Sequence, residues 1–333
     1  MKLCKNCILP ETFPGIKFDD AGICNHCRRE ASVLAKASEK KKQYRQKFEE
    51  LILETKGRAP AYDVIMAYSG GKDSTFTLKL LRERYDLRIL AFTFDNHFVS
   101  STAWENIKKV TDTLGIDHIN FRPSWILIKD LFSLTAREDI FAKPTLLRAS
   151  SICTACIGLV KGFALKTALE KTIPLVAFGW SPGQAPIQSA IMKNNPDLIS
   201  QNQTVLLNAL AVQENLHLDR YFLPEFYYER FRNNFPYNIH PLAFFKYDER
   251  EIISTLDELG WKNPTDTDTN SSNCLINAFA NHCHLERHGF HPYVWEMANM
   301  VRQGVMERHE GIEKIYTSQD QKMVEYAKIK LGL

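Results

Sequence analysis

Short apolar runs alternate with segments of helical periodicity through the middle of the chain. We predict strands at 63–68 (DVIMAY), 88–94 (RILAFTF), 118–121, 174–178 (PLVAF) and 241–245. We predict helices at 74–85, 102–114, 156–171 and 248–259, the second with a capping box from Thr102 to Glu105. The repeated order of strand and helix predicts an α/β fold with a doubly wound parallel sheet.

The pattern changes on both sides of this region, which suggests a division into domains. Residues 1–30 are rich in Cys, Gly and Pro with little periodicity, whereas 31–58 have sparse apolar positions among charges, as an exposed or bridging helix has. We expect the α/β domain to span 59–260, with a helical or irregular substrate-facing insertion at 181–240. Residues 261–333 form a helical C-terminal region in this prediction.

Composition favours a globular enzyme and argues against a dedicated nucleic-acid binder. The 333 residues are 44% hydrophobic and 24% charged, and the formal net charge is only +3. We find no apolar stretch of the roughly 18 residues that a membrane span needs, and the start lacks the apolar core of a signal peptide. We therefore expect a cytoplasmic protein without a membrane partner. Its eight cysteines then call for an explanation other than disulfides.

The segment Ser69-Gly70-Gly71-Lys72-Asp73-Ser74 lies between the first predicted strand and a helix. Its glycines let backbone N–H groups approach phosphate oxygens, the helix N-terminus favours anions, and the two serines add hydroxyl donors. Lys72 is suited to neutralise phosphate charge, and Asp73 offers an oxygen ligand for Mg²⁺. The spacing is too short for the common G-x-x-x-x-G-K-[ST] loop.

This S-G-G-K-D-S segment resembles the signature of the PP-loop ATP pyrophosphatase superfamily. The resemblance implies that ATP is cleaved to AMP and pyrophosphate, and that a carbonyl or carboxyl oxygen is activated as an adenylate. It makes Lys72 and Asp73 the catalytic candidates.

Three further positions are candidates for contacting ATP. Asp95 and Asn96 follow the second strand, and Gly179 follows the fourth. Ligands of open α/β sheets bind beyond the carboxyl ends of the strands, so these residues are expected near the nucleotide. Ordinary loop roles remain the alternative.

Four cysteines form two C-x-x-C pairs in the first thirty residues: Cys4, Cys7, Cys24 and Cys27. Sixteen residues separate the pairs, a spacing typical of zinc ribbons with four thiolates. Zn²⁺ would replace the core that so small a unit cannot build. Free thiols, or His26 in place of one sulfur, are the alternatives.

A third C-x-x-C pair, Cys153 and Cys156, opens a predicted helix and has Cys274 as its partner far along the chain. One interpretation is a redox dithiol at a helix N-terminus. The other is a [4Fe-4S] cluster on three cysteines, which leaves one iron open, with Cys283 as a rival third ligand. The layout, with His240-Pro241-Leu242 before Cys274, resembles the iron–sulfur branch of PP-loop tRNA thiolases.

The first half of the chain resembles a different branch of the same superfamily. The opening KLCKNCILPETFPGIKFDDAGICNHC, the segment FDNHF and the later ELGWKNP are similar to N-acetyl sugar amidotransferases. That resemblance implies ammonia from a partner glutaminase as the nucleophile.

We therefore predict an ATP-dependent sulfurtransferase that uses ATP, Mg²⁺, Zn²⁺ and a [4Fe-4S] cluster. An ammonia-transferring sugar amidotransferase is the alternative, and a zinc-ribbon nucleic-acid binder is a third hypothesis. The acceptor is a small molecule or tRNA, a sulfur donor protein is a possible partner, and a homodimer is compatible with the sequence. His284 and His288 share a helix face suited to zinc, although packing or surface histidines explain them more simply.

Overall fold

A six-stranded sheet forms the centre of the described chain, which in this computed structural model comprises residues 1–34, 36–210, 221–268, 271–318 and 320–333. The strands lie in the order β3-β2-β1-β4-β6-β5. They are β1 (Val64–Ala67), β2 (Ile89–Phe94), β3 (Asp117–Phe121), β4 (Leu175–Phe178), β5 (Ile191–Lys193) and β6 (Tyr237–Ile239). Only β5 among them runs antiparallel to its neighbour. The predicted α/β fold with a mainly parallel sheet is confirmed.

Fourteen helices are described around this sheet. They are α1 (Asn25–Leu34), α2 (Ala37–Thr55), α3 (Lys72–Lys79), α4 (Ser101–Leu114), α5 (Trp125–Arg137), α6 (Lys143–Leu146), α7 (Ser151–Glu170), α8 (Pro196–Leu210), α9 (Glu225–Arg230), α10 (Glu249–Asp257), α11 (Asn277–His288), α12 (Val294–Arg302), α13 (Arg308–Tyr316) and α14 (Gln321–Leu331). A π-helical turn, Leu80–Arg84, extends α3. The C-terminal region is mostly helical, as predicted.

Both faces of the sheet are covered, because alternate residues of each strand point to opposite sides. Val64 and Met66 of β1 lie in one hydrophobic core, and Ile65 between them lies in the other. Chain order reverses on the two sides of β1: β2 lies on one side and β4 on the other. Such a reversal opens a crevice at the carboxyl ends of the two strands, where ligands bind in this class of sheet.

The cysteine-rich N-terminal unit packs on the C-terminal helices. Ile8, Leu9 and Phe13 share a hydrophobic cluster with residues of α12 and α13. Arg308 donates hydrogen bonds to the carbonyl oxygens of Cys4 and Cys7, at 2.9 Å in each case. The small unit therefore gains a core from the other end of the chain.

The predicted strand at 241–245 is wrong. Pro241–Ala243 is a 3₁₀ turn, and the strand of this region is β6, just before it. Proline has no N–H to donate to a strand ladder, so Pro241 ends the pairing of β6 with β4. The segment 181–240 is also not purely helical or irregular, because it contributes β5 and β6. Each has only three residues, too few for a periodic pattern to show. Residues 211–220 of this segment lie outside the described residues.

Two predicted helix starts also differ from the structure. Helix α4 is capped by Ser100, whose hydroxyl accepts a hydrogen bond from the Ala103 N–H at 3.0 Å, so Thr102 lies inside the first turn instead of at the cap. Helix α7 begins at Ser151, five residues before the predicted start. The region 31–58 holds the whole of α2. This helix is not simply exposed, since Phe48 and its apolar neighbours are buried in the core.

One helix, α7, is long and apolar enough to cross a membrane, so the statement that no such stretch exists is wrong. Nine of its residues are buried, among them Leu159 and Ala168 in a core beside the sheet. Core helices of ordinary globular proteins pass the same test of length and composition. The helix is therefore weak evidence for a membrane span, and a cytoplasmic location stays a prediction.

Candidate active site

The loop between β1 and α3 has a backbone that only glycine allows at Gly70. This residue has a φ of +75°, and a Cβ atom on it would lie 2.6 Å from the Ala103 carbonyl oxygen. Trp261 fixes the loop from outside, because its indole N–H donates to the Gly70 carbonyl at 2.9 Å. Ser69 and Ser74 face each other with 3.0 Å between their hydroxyl oxygens. The predicted phosphate-binding segment is thus a tight, braced turn at a helix N-terminus.

The loop after β4 packs directly on this turn. A Cβ atom at Gly179 would lie 2.4 Å from the Cα of Ser74, so no larger residue fits without moving the backbone. A Cβ atom at Gly71 would lie 2.7 Å from the Ser272 hydroxyl oxygen. This hydroxyl accepts a hydrogen bond from the Lys72 N–H at 3.2 Å. The structure therefore brings Gly179 to the predicted phosphate loop, at the crevice between β1 and β4.

Lys72 lies within a partly buried polar network that the sequence did not reveal. Its ammonium group donates to the Tyr247 hydroxyl at 2.6 Å and lies 3.2 Å from Asp73 Oδ1 and 3.5 Å from Glu249 Oε1. The Tyr247 hydroxyl donates in turn to Asp73 at 2.8 Å. Lys314 Nζ lies 3.0 Å from Glu249. The charged groups thus alternate in the order Asp73, Lys72, Glu249 and Lys314, and the Tyr247 hydroxyl bridges Lys72 and Asp73.

The charges in this network keep Lys72 protonated. Burial alone would lower its pKa, but Asp73 and Glu249 outweigh burial and raise the pKa above its ordinary value. Burial works against ionisation of Glu249 as well, yet Lys72 and Lys314 hold the pKa of this carboxyl below its usual range. An incoming phosphate would meet a fixed positive charge at the helix N-terminus.

A carboxyl with a pKa near neutrality lies beside the network. Glu296, on α12, is buried, and it accepts a hydrogen bond of 2.5 Å from the Ser181 hydroxyl. Burial raises the pKa of Glu296 to about 7, and the negative charge of Asp73 adds to this effect. A group with such a pKa can either hold or release a proton under physiological conditions. Sequence reasoning missed Glu296, because nothing in its local context marks it.

Asp95 and Asn96 are buried at the end of β2, but their contacts differ. Asp95 accepts a hydrogen bond from the His97 N–H at 2.9 Å and lies 3.3 Å from the Arg122 guanidinium. Asn96 points to sulfur: its amide nitrogen donates to Cys156 Sγ at 3.5 Å and to Cys274 Sγ at 3.6 Å. Contact of either residue with ATP remains a prediction.

The structure brings Cys274 to Cys153 and Cys156. Residues 273–275 pair with 98–100 through the hydrogen bonds Ser100 N–H to Asn273 O at 3.0 Å and Leu275 N–H to Phe98 O at 2.8 Å. The sulfurs of Cys156 and Cys274 therefore share the two N–H groups of the Asn96 amide. Burial raises the pKa of the rival Cys283, on α11, to about 11, and the charges of Arg287 and Lys328 oppose this effect.

Burial raises the pKa of Cys153 to about 11, and the nearby Cys274 adds to this effect. The pKa of Cys156 and that of Cys274 are also raised by burial. The raised pKa values do not favour the hypothesis of a redox dithiol, which stays a prediction. The three thiols are only partly buried, and among the described residues they are not arranged as a group that could hold a single metal ion. A [4Fe-4S] cluster on them also stays a prediction, and the contacts of the Asn96 amide with Cys156 and Cys274 are its structural support.

The four N-terminal cysteines form the one group of potential metal ligands in the described residues whose donor atoms all lie within 4.8 Å of one another. The sulfurs of Cys4 and Cys27, and those of Cys7 and Cys24, are 3.8 Å apart. A tetrahedron with metal–sulfur bonds of about 2.3 Å has edges of about 3.8 Å, so these cysteines fit Zn²⁺ closely. His26 is outside the group, and its ring packs against Phe13.

His284 and His288 do not belong to such a group. Their ring centroids are 4.4 Å apart, and His288 Nε2 lies 3.3 Å from Asp139 Oδ2. Burial lowers the pKa of His284 to about 3, so its ring is neutral. The simpler interpretation of packed histidines agrees with these contacts.

A lysine near β4, exposed over part of its side chain, is a further candidate that sequence reasoning missed. Lys161 Nζ lies 4.5 Å from the ring centroid of Trp180, which stacks on His240 with centroids 4.3 Å apart. Burial lowers the pKa of Lys161 to about 8. Trp180 directly follows Gly179, so this cation lies at the same crevice. In the sequence, the only sign of Lys161 is its position shortly after the pair Cys153 and Cys156 on the same helix.

Comparisons with known proteins give similarities without a family. No family model matches the chain. The uncharacterized protein MJ1599 of Methanocaldococcus jannaschii is 22% identical over 300 residues, which cover 90% of this chain and 87% of that protein.

Two solved structures align over most of the chain. The U34-tRNA thiolase NcsA of Methanococcus maripaludis, with its [4Fe-4S] cluster, is 18% identical over 100% of this chain and 99% of its own, with a TM-score of 0.36. The NMN synthetase of Francisella tularensis is 11% identical over 80% and 95%, with a TM-score of 0.37. Scores this low carry no inference, so the functional argument rests on the site itself.

Proposed function

We propose that this protein is an ATP-dependent enzyme that adenylates an oxygen of its acceptor and releases pyrophosphate. The observation that carries the proposal is the placement of Lys72. This lysine is kept protonated at the N-terminus of α3, in a glycine turn at the point where strand order reverses. A partly buried cation and a helix N-terminus together favour a polyphosphate.

In the first step, the acceptor oxygen attacks the α-phosphorus of ATP, and the bond from that phosphorus to the bridging oxygen breaks. Pyrophosphate leaves with the electron pair of this bond. Lys72 and the N–H groups of the loop stabilise the charge that develops on the leaving group. Asp73, whose Oδ1 is occupied by Tyr247, has its second oxygen available as a ligand for Mg²⁺.

In the second step, a nucleophile attacks the activated carbon, and AMP leaves. We propose that the nucleophile is sulfur and that Cys153, Cys156 and Cys274 hold a [4Fe-4S] cluster. When bound, such a cluster supplies an iron that is free of cysteine and can carry sulfide. Asn96 orients two of the ligands through its amide. Glu296 is suited to take a proton that the nucleophile loses.

Nucleotide binding tests the first half of the proposal. We expect Lys72→Gln to weaken Mg-ATP binding about tenfold or more, since a charge-assisted contact to phosphate is lost. Lys79→Gln is the matched control, because Lys79 lies at the far end of the same helix and pairs with Glu83. Calorimetry with a non-hydrolysable ATP analogue measures both. Equal affinities in the two variants would contradict the proposal.

Metal and sulfide analysis of anaerobically purified protein tests the second half. We expect about four irons and four sulfides per chain in addition to one zinc. Cys274→Ala should lose most of the iron while keeping the zinc. Cys283→Ala serves as the control, because Cys283 is partly buried nearby but is not paired with Asn96. Retention of iron in Cys274→Ala would remove Cys274 from the ligand set, and loss of iron from both variants would contradict the choice of Cys274 over Cys283.

Ammonia transfer is the alternative, and the similarity of the first half of the chain to N-acetyl sugar amidotransferases favours it. It predicts an iron-free protein that releases pyrophosphate when ammonia and acceptor are supplied, and a glutaminase as partner. The acceptor, whether tRNA or a small molecule, the sulfur donor and a homodimer remain predictions. So do the cytoplasmic location and the domain boundaries.

A further inference from the structure

A cavity of about 260 Å³ lies beside the loop that follows β4. Its walls come from the first turn of α2, from residues 182–188 of the loop and from α12. Trp295, Asn299 and Gln303 line it from α12 and its end. The cavity is outside the phosphate loop, and the adenylation chemistry proposed above does not use it.

The polar wall of this cavity is cationic and lacks compensating charge. Lys40, Lys41 and Arg148 line it. Among the described residues, none of these three side chains has a hydrogen bond or an ion pair. The one acidic residue of the wall, Glu30, is already paired with Arg302 at 2.6 Å. Burial lowers the pKa of Lys41. A bound anion would oppose this effect, because a nearby negative charge favours the protonated form of lysine.

The loop that separates the cavity from the phosphate turn is held rigidly. Asn299 donates a hydrogen bond to the Gly183 carbonyl at 3.0 Å, and Gln303 donates to the Pro182 carbonyl at 3.2 Å. A Cβ atom at Gly183 would lie 2.3 Å from the Glu296 carbonyl oxygen, so loop and helix are in close contact. Ser181, which binds Glu296, is adjacent in sequence to Pro182. The two sites therefore share one short, fixed segment.

We propose that this cavity binds the phosphate group of the acceptor, and that the acceptor is a small phosphorylated molecule. This step rests on the proposed function. Lysine and arginine are the usual partners of phosphate, and the amides of Gln184 and Gln188 add donors to the wall. The volume suits one compact group, somewhat below the usual range for drug-sized ligands. A nucleic acid would need an extended basic surface, which a net charge of +3 does not favour.

The test is calorimetry on the full-length protein with the phosphate loop filled by a non-hydrolysable ATP analogue. Inorganic phosphate, a hexose phosphate and a short RNA oligonucleotide are titrated separately. We expect hexose phosphate to bind, and Lys40→Ala/Lys41→Ala and Arg148→Ala each to weaken it about tenfold or more. The matched control is Lys42→Ala, since Lys42 is exposed on the same helix and does not line the cavity. Circular dichroism checks the fold of each variant.

Each outcome separates the cavity from the adenylation site. If Lys72→Gln loses hexose phosphate binding and Lys40→Ala/Lys41→Ala keeps it, the phosphate binds in the glycine turn, and the proposal is overturned. Binding of RNA alone, dependent on Lys40 and Lys41, would overturn it too. If nucleotide affinity is absent but hexose phosphate still binds through these lysines, the adenylation chemistry fails and the phosphate cavity stands. If the ATP analogue binds but hexose phosphate does not, the adenylation site stands, and the proposal of a phosphate-binding cavity is overturned.

Discussion

Replacing Glu296 by glutamine should stabilise the protein at high pH and leave its stability nearly unchanged at low pH. In the folded state, burial raises the pKa of the Glu296 carboxyl from the ordinary 4.5 to about 7, and the negative charge of Asp73 adds to this effect. The folded protein therefore binds this proton more tightly than the unfolded chain, and its stability falls as the pH rises through the interval from 4.5 to 7. Above that interval the buried charge costs up to about 3 kcal/mol. Glutamine carries no charge, and its carbonyl can still accept the Ser181 hydrogen bond.

Urea unfolding of nucleotide-free protein at pH 5 and pH 8 measures this effect. We expect Glu296→Gln to exceed the wild type in free energy of unfolding by about 3 kcal/mol at pH 8 and by about 1 kcal/mol or less at pH 5. Glu286→Gln is the matched control, because Glu286 is an exposed carboxylate on α11 and should give no gain at either pH. An equal gain at both pH values, or a larger one at pH 5, would show that Glu296 is not held neutral by burial.

Three further substitutions test the geometry of the site. Gly179→Ala should weaken binding of an ATP analogue about tenfold or more in calorimetry, because its new methyl would push the Ser74 backbone out of the phosphate turn. Trp261→Phe should lower the free energy of unfolding by about 1 to 3 kcal/mol in urea, since the Gly70 carbonyl loses a buried donor. Cys24→Ser should reduce bound zinc, measured by atomic absorption, from one per chain to much less, with a lower melting temperature.

The parts of the site that the sequence predicts are those whose chemistry is local in the chain. The predicted phosphate turn is one hexapeptide after a strand, and the predicted zinc site is two C-x-x-C pairs. In each case the required backbone or ligand spacing is visible within a few residues. Cys274 was predicted only through its resemblance to a known layout, because the pairing of residues 98–100 with 273–275 has no signature in the sequence.

Other residues of the site became apparent only after folding. Tyr247 and Lys314 reach Lys72 or its partner from separate helices and turns, and such contacts over long sequence separation leave no periodic trace. The strand β6 was missed for a related reason. It has three residues and takes its place from pairing with β4, so tertiary context overrides its weak local pattern.

Helix α12 explains why the C-terminal region belongs to the site at all. Trp295, Asn299 and Gln303 are spaced by four residues and face the phosphate cavity, whereas Glu296, about a quarter turn away, faces Ser181. Trp295 is stacked in turn on Phe13 of the zinc unit, with ring centroids 5.5 Å apart. The sheet thus supplies the proposed nucleotide side, and the cysteine-rich N-terminal unit braces the helix that supplies the proposed acceptor side. Loss of zinc should therefore weaken binding of a hexose phosphate more than binding of an ATP analogue.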